Sequence, residues 1–509
     1  MSLLAASLFA LIATVSASAA AHPRPPIDLV FSSQHRSLES PGESFRVSGR
    51  KAEATLLRVY YAGGGEWREC NASTCTTGNR DWGVDSLTYA LALRFHETRD
   101  RRLLAPLRAL TQTAPVYPAP CTNSSTCSSW SDVPEWDAIA LLDEYAATGD
   151  QTALTKAEAA FAFVAQSSVY ARGACSEIDY QQPGGGANQL KTLETDSNLV
   201  KAALLLYRAT HLTAYLEAAR AHYASSRAYF FEPRTNLYTV YVFDNGRTCV
   251  QLPRRFFASV NGNMIWNGVE LFRDTGARSY LDQAIATAKA SVLALSDGRG
   301  ILTDLQAEND VVEPLVEGMD ALAEEPQGFA RDWILRNAAA ALSARTPDGS
   351  FGRFFDGPPP ETTVTAWQTN GGLAAEIAAA SLAPDTVIPT TNAWAGAVLA
   401  THEITALPAT LGFYGSGVAL IGTLGESCCE SGHARVLIDG HETADATGIW
   451  QNKSSLGTSI DNTVLFAWRW PSVGHHSLTF EPGIDNPKEG GSFLHIRAFE
   501  LLRAHLTHR

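Results

Sequence analysis

Apolar residues recur with helical spacing over most of this chain and switch to a two-residue alternation near its end. Between residues 81 and 384 six segments carry the helical pattern: YALALRFHETRD from 89, AIALLDEYAATGD from 138, KAALLLYRATHL from 201, MIWNGVELFRDTGA from 264, LVEGMDALAEEP from 315 and GGLAAEIAAASL from 371. The four strongest copies each run through a threonine and a short turn into a second helix, as in TALTKAEAAFAF or SYLDQAIATAKASV. The turns fall near 99, 149, 211 and 276 and again near 326, so the unit is a helical hairpin repeating every 50 to 65 residues or so.

The insertions between hairpins are long and uneven, which favours a closed ring over an open solenoid with regular repeats and capping ends. The first helices are apolar on nearly all sides, as an inner ring requires. The expected fold is therefore mainly α, an (α/α)6 barrel over residues 81–384. From Pro384 the helical period stops, and GVALIGTL, ARVLIDG, NTVLFAWRW and HHSLTFEPG read as strands of an all-β sandwich over 385–509. Residues 21–80, with prolines at 23, 25 and 26, read as an extended arm leading into the barrel. Residues 1–20 are apolar, carry no acid and end in Ala17-Ser18-Ala19, the pattern of a signal peptide, so the chain is expected to be secreted. No later run has the apolar length of a membrane span.

Composition narrows the partners. Of 509 residues, 39 are Lys or Arg and 53 are Asp or Glu, a net charge of −14 that argues against nucleic acid. Eleven Trp, 15 Tyr and 21 Phe against three Met supply rigid rings for a core or for flat ligand platforms. Eight cysteines in an oxidising context predict disulfides. Cys70 with Cys75 and Cys121 with Cys127 would close short loops, Cys175 with Cys249 would join neighbouring segments, and Cys428 with Cys429 would remain as a vicinal pair. No spacing typical of a metal site occurs, and no cofactor is expected. Sequons at Asn71, Asn123 and Asn452 are candidate glycosylation sites.

Polar and aromatic residues gather just before each first helix: Trp82 with Asp85, Asp132 with Glu135 and Trp136, Glu194 with Asp196 and Asn198, Asn261 with Asn263, and Glu313. In a ring of parallel inner helices these positions share one mouth. Capping explains a single Ser, Asp or Asn before a helix, but not the accompanying indoles or several carboxylates per site. Rings that stack on sugar faces, amides that bind hydroxyls and paired acids that hydrolyse are the needs of a carbohydrate cleft. Asp132 and Glu135, three apart, would lie on one helix face as an acid/base pair, although the same spacing is that of a capping box.

The run Trp130-Ser131-Asp132-Val133-Pro134-Glu135-Trp136, followed by DAIALLDEYAATGD, resembles the helix-opening motif of glycoside hydrolase family 76, the endo-α-1,6-mannanases. Further likenesses follow in order, through Gly184-Gly185-Gly186, FFEPRTNLY and GSFGRFFDGP, and cover roughly 81–384. The resemblance implies a hydrolase of α-linked, mannan-like polysaccharide. The family has two adjacent aspartates, nucleophile then acid/base; here the first position is Ser131, so only Asp132 carries over. The end of the chain resembles the galactose-binding-like jelly rolls appended to secreted glycosidases. A non-catalytic carbohydrate-binding protein and, further off, a polysaccharide lyase are the alternatives.

Overall fold

The computed structural model describes residues 27–28, 42–75, 82–118, 120–123, 127, 130–252, 255–303, 311–390, 392–426, 434–441, 448–449, 454–482 and 494–502. The proposed signal peptide, the Cys428–Cys429 pair and Asn452 lie outside these residues.

Thirteen helices occur among the described residues. They are α1 Phe45–Thr55, α2 Trp82–Thr98, α3 Leu104–Arg108, α4 Leu110–Thr113, α5 Val133–Thr148, α6 Gln151–Ala165, α7 Leu193–Thr210, α8 Thr213–Phe230, α9 Ala258–Thr275, α10 Arg278–Ala294, α11 Glu313–Glu324, α12 Gly328–Ala341 and α13 Ala366–Leu382. Every segment with the helical apolar period lies in α2, α5, α7, α9, α11 or α13. These six pack each on the next, and α13 packs back on α2, so the inner ring is closed. The four expected turns are set by left-handed residues, Arg99, Gly149, His211 and Gly276, with φ of 55, 72, 59 and 72°. Such a residue ends a helix because its N–H turns back to a free carbonyl. Asp100 and Asp150 then accept backbone N–H groups that open the next stretch of helix.

The outer layer is formed by α3 with α4, then α6, α8, α10 and α12, and is completed from the start of the chain. Residues 45–60, expected within an extended arm, are helical, and α1 packs on α13. Its buried face is Phe45, Ser48, Gly49 and Ala52, mostly small residues that give little apolar signal but permit close approach. Ser48 donates to Glu376 of α13, and a two-residue strand Glu43–Ser44 pairs antiparallel with Val387–Ile388. Within the ring, α9 and α11 meet through two glycines. A Cβ on Gly262 would strike the backbone of Pro314 and Leu315, and one on Gly318 would strike the carbonyl of Gly262.

The C-terminal region is a β-sheet network with strand order Val398–Ile404, Ile496–Leu502, Ala409–Leu424, Ile460–Pro482, Ala434–Ile438 and Gly448–Ile449. Its two long strands pair over most of their length, and Ile27–Asp28 adds in parallel at Leu411–Gly412. Trp468 and Trp470 belong to its own apolar core, with Val418, Leu420, Phe466 and Phe499. A buried carboxylate ties this region to the barrel: Asp356 accepts from Arg299 at 2.9 Å and from Arg469 at 2.6 Å. Disulfides join Cys70 to Cys75, Cys121 to Cys127 and Cys175 to Cys249, as their spacing suggested. The Asn71 amide is committed to the fold, donating to Asp348 and accepting from Val364 N–H, which disfavours a glycan there in the folded chain.

Candidate active site

The start of α5 is fixed to its neighbours by short polar contacts. Ser131 N–H donates to the Gln181 carbonyl at 3.0 Å, and its hydroxyl shares a 2.6 Å hydrogen bond with Thr195 in the first turn of α7. Pro134 supplies a helix-ready φ in the first turn. Asp132 occupies the N-cap position, yet its side chain makes no capping bond. Glu135 does not return to the cap either, and all four carboxylate oxygens of the two residues lack a hydrogen-bond partner of good geometry. The capping box is therefore not formed. Both side chains are buried, at 1% and 0% exposure.

Two further carboxylates join them. Thr192 caps α7, and one turn in, Asp196 accepts the backbone N–H of Asp179 at 3.1 Å. Asp179 lies in the segment between α6 and α7 that the Cys175–Cys249 disulfide holds against the strand Cys249–Gln251. His222 of α8 approaches Asp196 at 3.8 Å. Lys191, fully buried, donates to the carbonyls of Cys175 and Ile178 at 2.6 Å and lies 3.7 Å from Asp244.

Burial governs the charge states. It pushes the Asp132 carboxyl up to about 7, against a pull from the residue's own backbone N–H and then from the Trp136 side chain. Asp179 is also raised to about 7, by burial and then by the Asp196 charge, with His222 and Lys191 opposing. Glu135 stands well above the usual carboxylate range for the same first reason, helped by Asp179 and Asp196. Burial raises Asp196 too, against the pull of His222. Burial disfavours the charged His222 ring, but the Asp196 and Asp179 carboxylates hold it above its ordinary value. Burial thus raises all four carboxyl groups, while His222 and Lys191 oppose it at Asp179 and Asp196, a spread of environments of the kind acid/base chemistry uses.

The other expected residues divide. Asn263 donates to Asn198 at 2.7 Å, joining α9 to α7 beside the cluster. Glu194 accepts from the Thr192 hydroxyl, and Asp85 is buried in the first turn of α2. Trp82 stacks on Trp367 at 5.5 Å, and both rings are partly exposed, as a platform would be. Three others also make contacts within the fold. Asn261 is spent on the fold, clamping the Tyr238 backbone in both directions. Trp136 is 1% exposed and stacked on Tyr89, with its side chain reaching Asp132. Glu313, in the first turn of α11, has Glu317, Lys201 and Asp143 as its electrostatic neighbours, and its backbone N–H donates to Asn370. Sequence reading missed Asp179, His222 and Lys191. The first is in a loop and the second on an outer helix, outside the repeated position; only the nearby Cys175 hinted that the loop was held in place.

No protein-family model matches the chain, and no curated protein matches it significantly. Solved structures do. An inactive α-1,6-mannanase variant from Salegentibacter sp. HEL1_6, two adjacent aspartates replaced and α-1,6-mannotetrose bound, aligns with a TM-score of 0.58 and 19% identity over 67% of this chain and 100% of its own. The barrel has the fold of glycoside hydrolase family 76. A family 76 α-mannanase from Bacteroides thetaiotaomicron aligns with a TM-score of 0.54 and 15% identity, over 67% of this chain and 96% of that one. An unsaturated glucuronyl hydrolase specific for heparin aligns at 0.50 and 12%, over 66% of this chain and 97% of its own. The family 76 fold and the glycosidase character of these neighbours agree with a hydrolase at a coarse level.

Proposed function

We propose that this chain is a secreted glycoside hydrolase that cleaves α-linked bonds of a mannan-like polysaccharide, with Asp132 as its general acid. The observation that carries this reading is the cluster of Asp132, Glu135, Asp179 and Asp196 at the N-terminal ends of α5 and α7 on a family 76 barrel. In the Salegentibacter enzyme replacement of two adjacent aspartates gives the inactive variant. Here Ser131 stands in the first place, so the second carboxylate comes from another element. Asp179 and Asp196, next to His222 and Lys191, are the groups most readily ionised and serve as base or nucleophile; Glu135 stays protonated beside Asp132. Trp82 and Trp367 provide a stacking face for a sugar ring. The C-terminal sheet fits a galactose-binding-like jelly roll with a structural role against the barrel.

The burial of Asp132 favours a second reading, a carbohydrate-binding protein without catalysis. Incubation with α-1,6-mannan, arabinan and α-glucan, reading reducing ends and binding in parallel, separates the two. Release that disappears in Asp132→Asn supports the hydrolase. Binding without release supports the alternative, and release undiminished in Asp132→Asn refutes the assignment of the acid.

A further inference from the structure

The inner ring is open at its other end. A cavity of about 530 Å³ is lined by the C-terminal halves of α2, α5, α7, α9 and α11. On α5 its wall residue Asp143 is eleven residues beyond Asp132, about 16 Å along the helix axis. This volume suits a small ligand.

The charges around the cavity do not balance locally. On α9, Glu270 is paired with Arg208 of α7 and with Arg273. Arg273 also reaches Glu324 of α11 and Glu325, and Arg208 reaches Asp274. On α2, Arg99 and His96 contact each other at the exposed rim, while Glu97 is 3.9 Å from Arg94. At the inner end, Lys201 of α7 pairs with Glu317 of α11, its ammonium 5.1 Å from the ring centroids of both Tyr89 and Trp266. Every cation near the inner end is thereby paired closely with another acid, and Lys201 and Arg273 act on Asp143 and Asp320 only from beyond ion-pair distance. Three carboxylates remain over. Asp143 and Asp320 line the cavity with no ion-pair or hydrogen-bond partner among the described residues. Glu313, 0% exposed, has both oxygens unpartnered and lies within electrostatic reach of Asp143 and Glu317.

We propose that this end of the barrel is a second ligand site and that its ligand is a small protonated organic amine. The ammonium would sit in the cavity against its excess of carboxylates, and the walls of Tyr89 and Trp266 would cover its carbon skeleton. Burial and the neighbouring acids raise Asp143 to about 8 and Asp320 to about 7, so an incoming cation displaces protons. The proposal is independent of hydrolysis at Asp132.

Isothermal titration of the full chain with putrescine and with glucosamine, each at pH 6 and pH 8 in two buffers of different ionisation enthalpy, tests it. N-acetylglucosamine and mannose serve as uncharged controls. Expected are amine binding with no binding of the controls and, for putrescine, which stays protonated across this range, proton release and tighter binding at pH 8. Asp143→Asn and Asp320→Asn should each weaken binding at least about tenfold with an unchanged or higher melting temperature, which shows that the fold is intact. Preference for putrescine assigns the site to diamines and preference for glucosamine to amino sugars. Failure of both amines to bind, equal binding of mannose, or undiminished binding in both variants would overturn the proposal.

Discussion

Replacing Asp132 with asparagine tests the buried carboxyl without requiring a substrate. Its ordinary value of 3.8 is raised to about 7 in the fold, so the folded chain keeps a proton that the unfolded chain releases. Below about pH 4 the group is neutral in both states and costs nothing. As pH rises from 4 to 7 the folded state progressively loses stability, and above 7 the penalty is constant. The full penalty has a ceiling of about 4 kcal/mol, and relaxation of the site leaves an expected gain for asparagine on the order of 1 to 3 kcal/mol at pH 8. Asparagine keeps the shape and removes the charge. Melting temperatures of the parent and Asp132→Asn from pH 4 to 8.5 should therefore coincide at the acid end and separate by a few degrees toward pH 8, with the variant the more stable. A pH-independent offset, or a variant less stable at pH 8, would show that Asp132 is solvated or already paired. Gained stability together with lost hydrolysis is the pattern of a functional residue that the fold would be better off without.

Three other substitutions probe the scaffold. Gly262→Ala should lower stability by about 1 to 3 kcal/mol despite alanine's better helix propensity, because its methyl meets the backbone of Pro314 and Leu315; Gly328→Ala, with open space around it, is the control that should not lose stability in thermal melts. Asp356→Ala leaves Arg299 and Arg469 facing each other at the junction and should cost about 3 to 5 kcal/mol, seen as separation of the barrel and sheet transitions in calorimetry. Replacing Cys175 and Cys249 by serine opens a loop of 74 residues, worth about 4 kcal/mol in the chain-entropy account. It should lower the melting temperature, speed proteolysis between 175 and 192, and reduce hydrolysis by freeing Asp179.

The six inner helices were legible because a fully enclosed helix must be apolar around its circumference, and AIALL and KAALLL leave no other reading. Their turns were legible because Gly149 and Gly276 punctuate the pattern. The outer helix α1 was not: apart from Phe45, its buried face of Ser48, Gly49, Ala52 and Thr55 is small or polar and gives little apolar signal. In the site, Asp132, Glu135 and Asp196 could be found because they repeat at helix starts. Glu313 also stands at a helix start, but its electrostatic neighbours are Glu317, Lys201 and Asp143. Asp179 and His222 come from a loop and an outer helix, where no period marks a functional position.

The docking of α1 on α13 also gives the barrel a history. Alpha-13 begins some 320 residues after α1; at about 5 to 20 residues per second its synthesis lags by roughly 15 to 60 s. For that interval α1 must wait undocked, with Phe45 the one large apolar side chain on its otherwise small or polar buried face. When α13 arrives, the strand at Glu43–Ser44 meets Val387–Ile388 and the two ends of the barrel lie side by side. A permuted gene opened at the exposed turn around Gly149 and running from the C-terminal sheet on into α1 would make α1 after its partner, with only the sheet between them, and the wait would shorten.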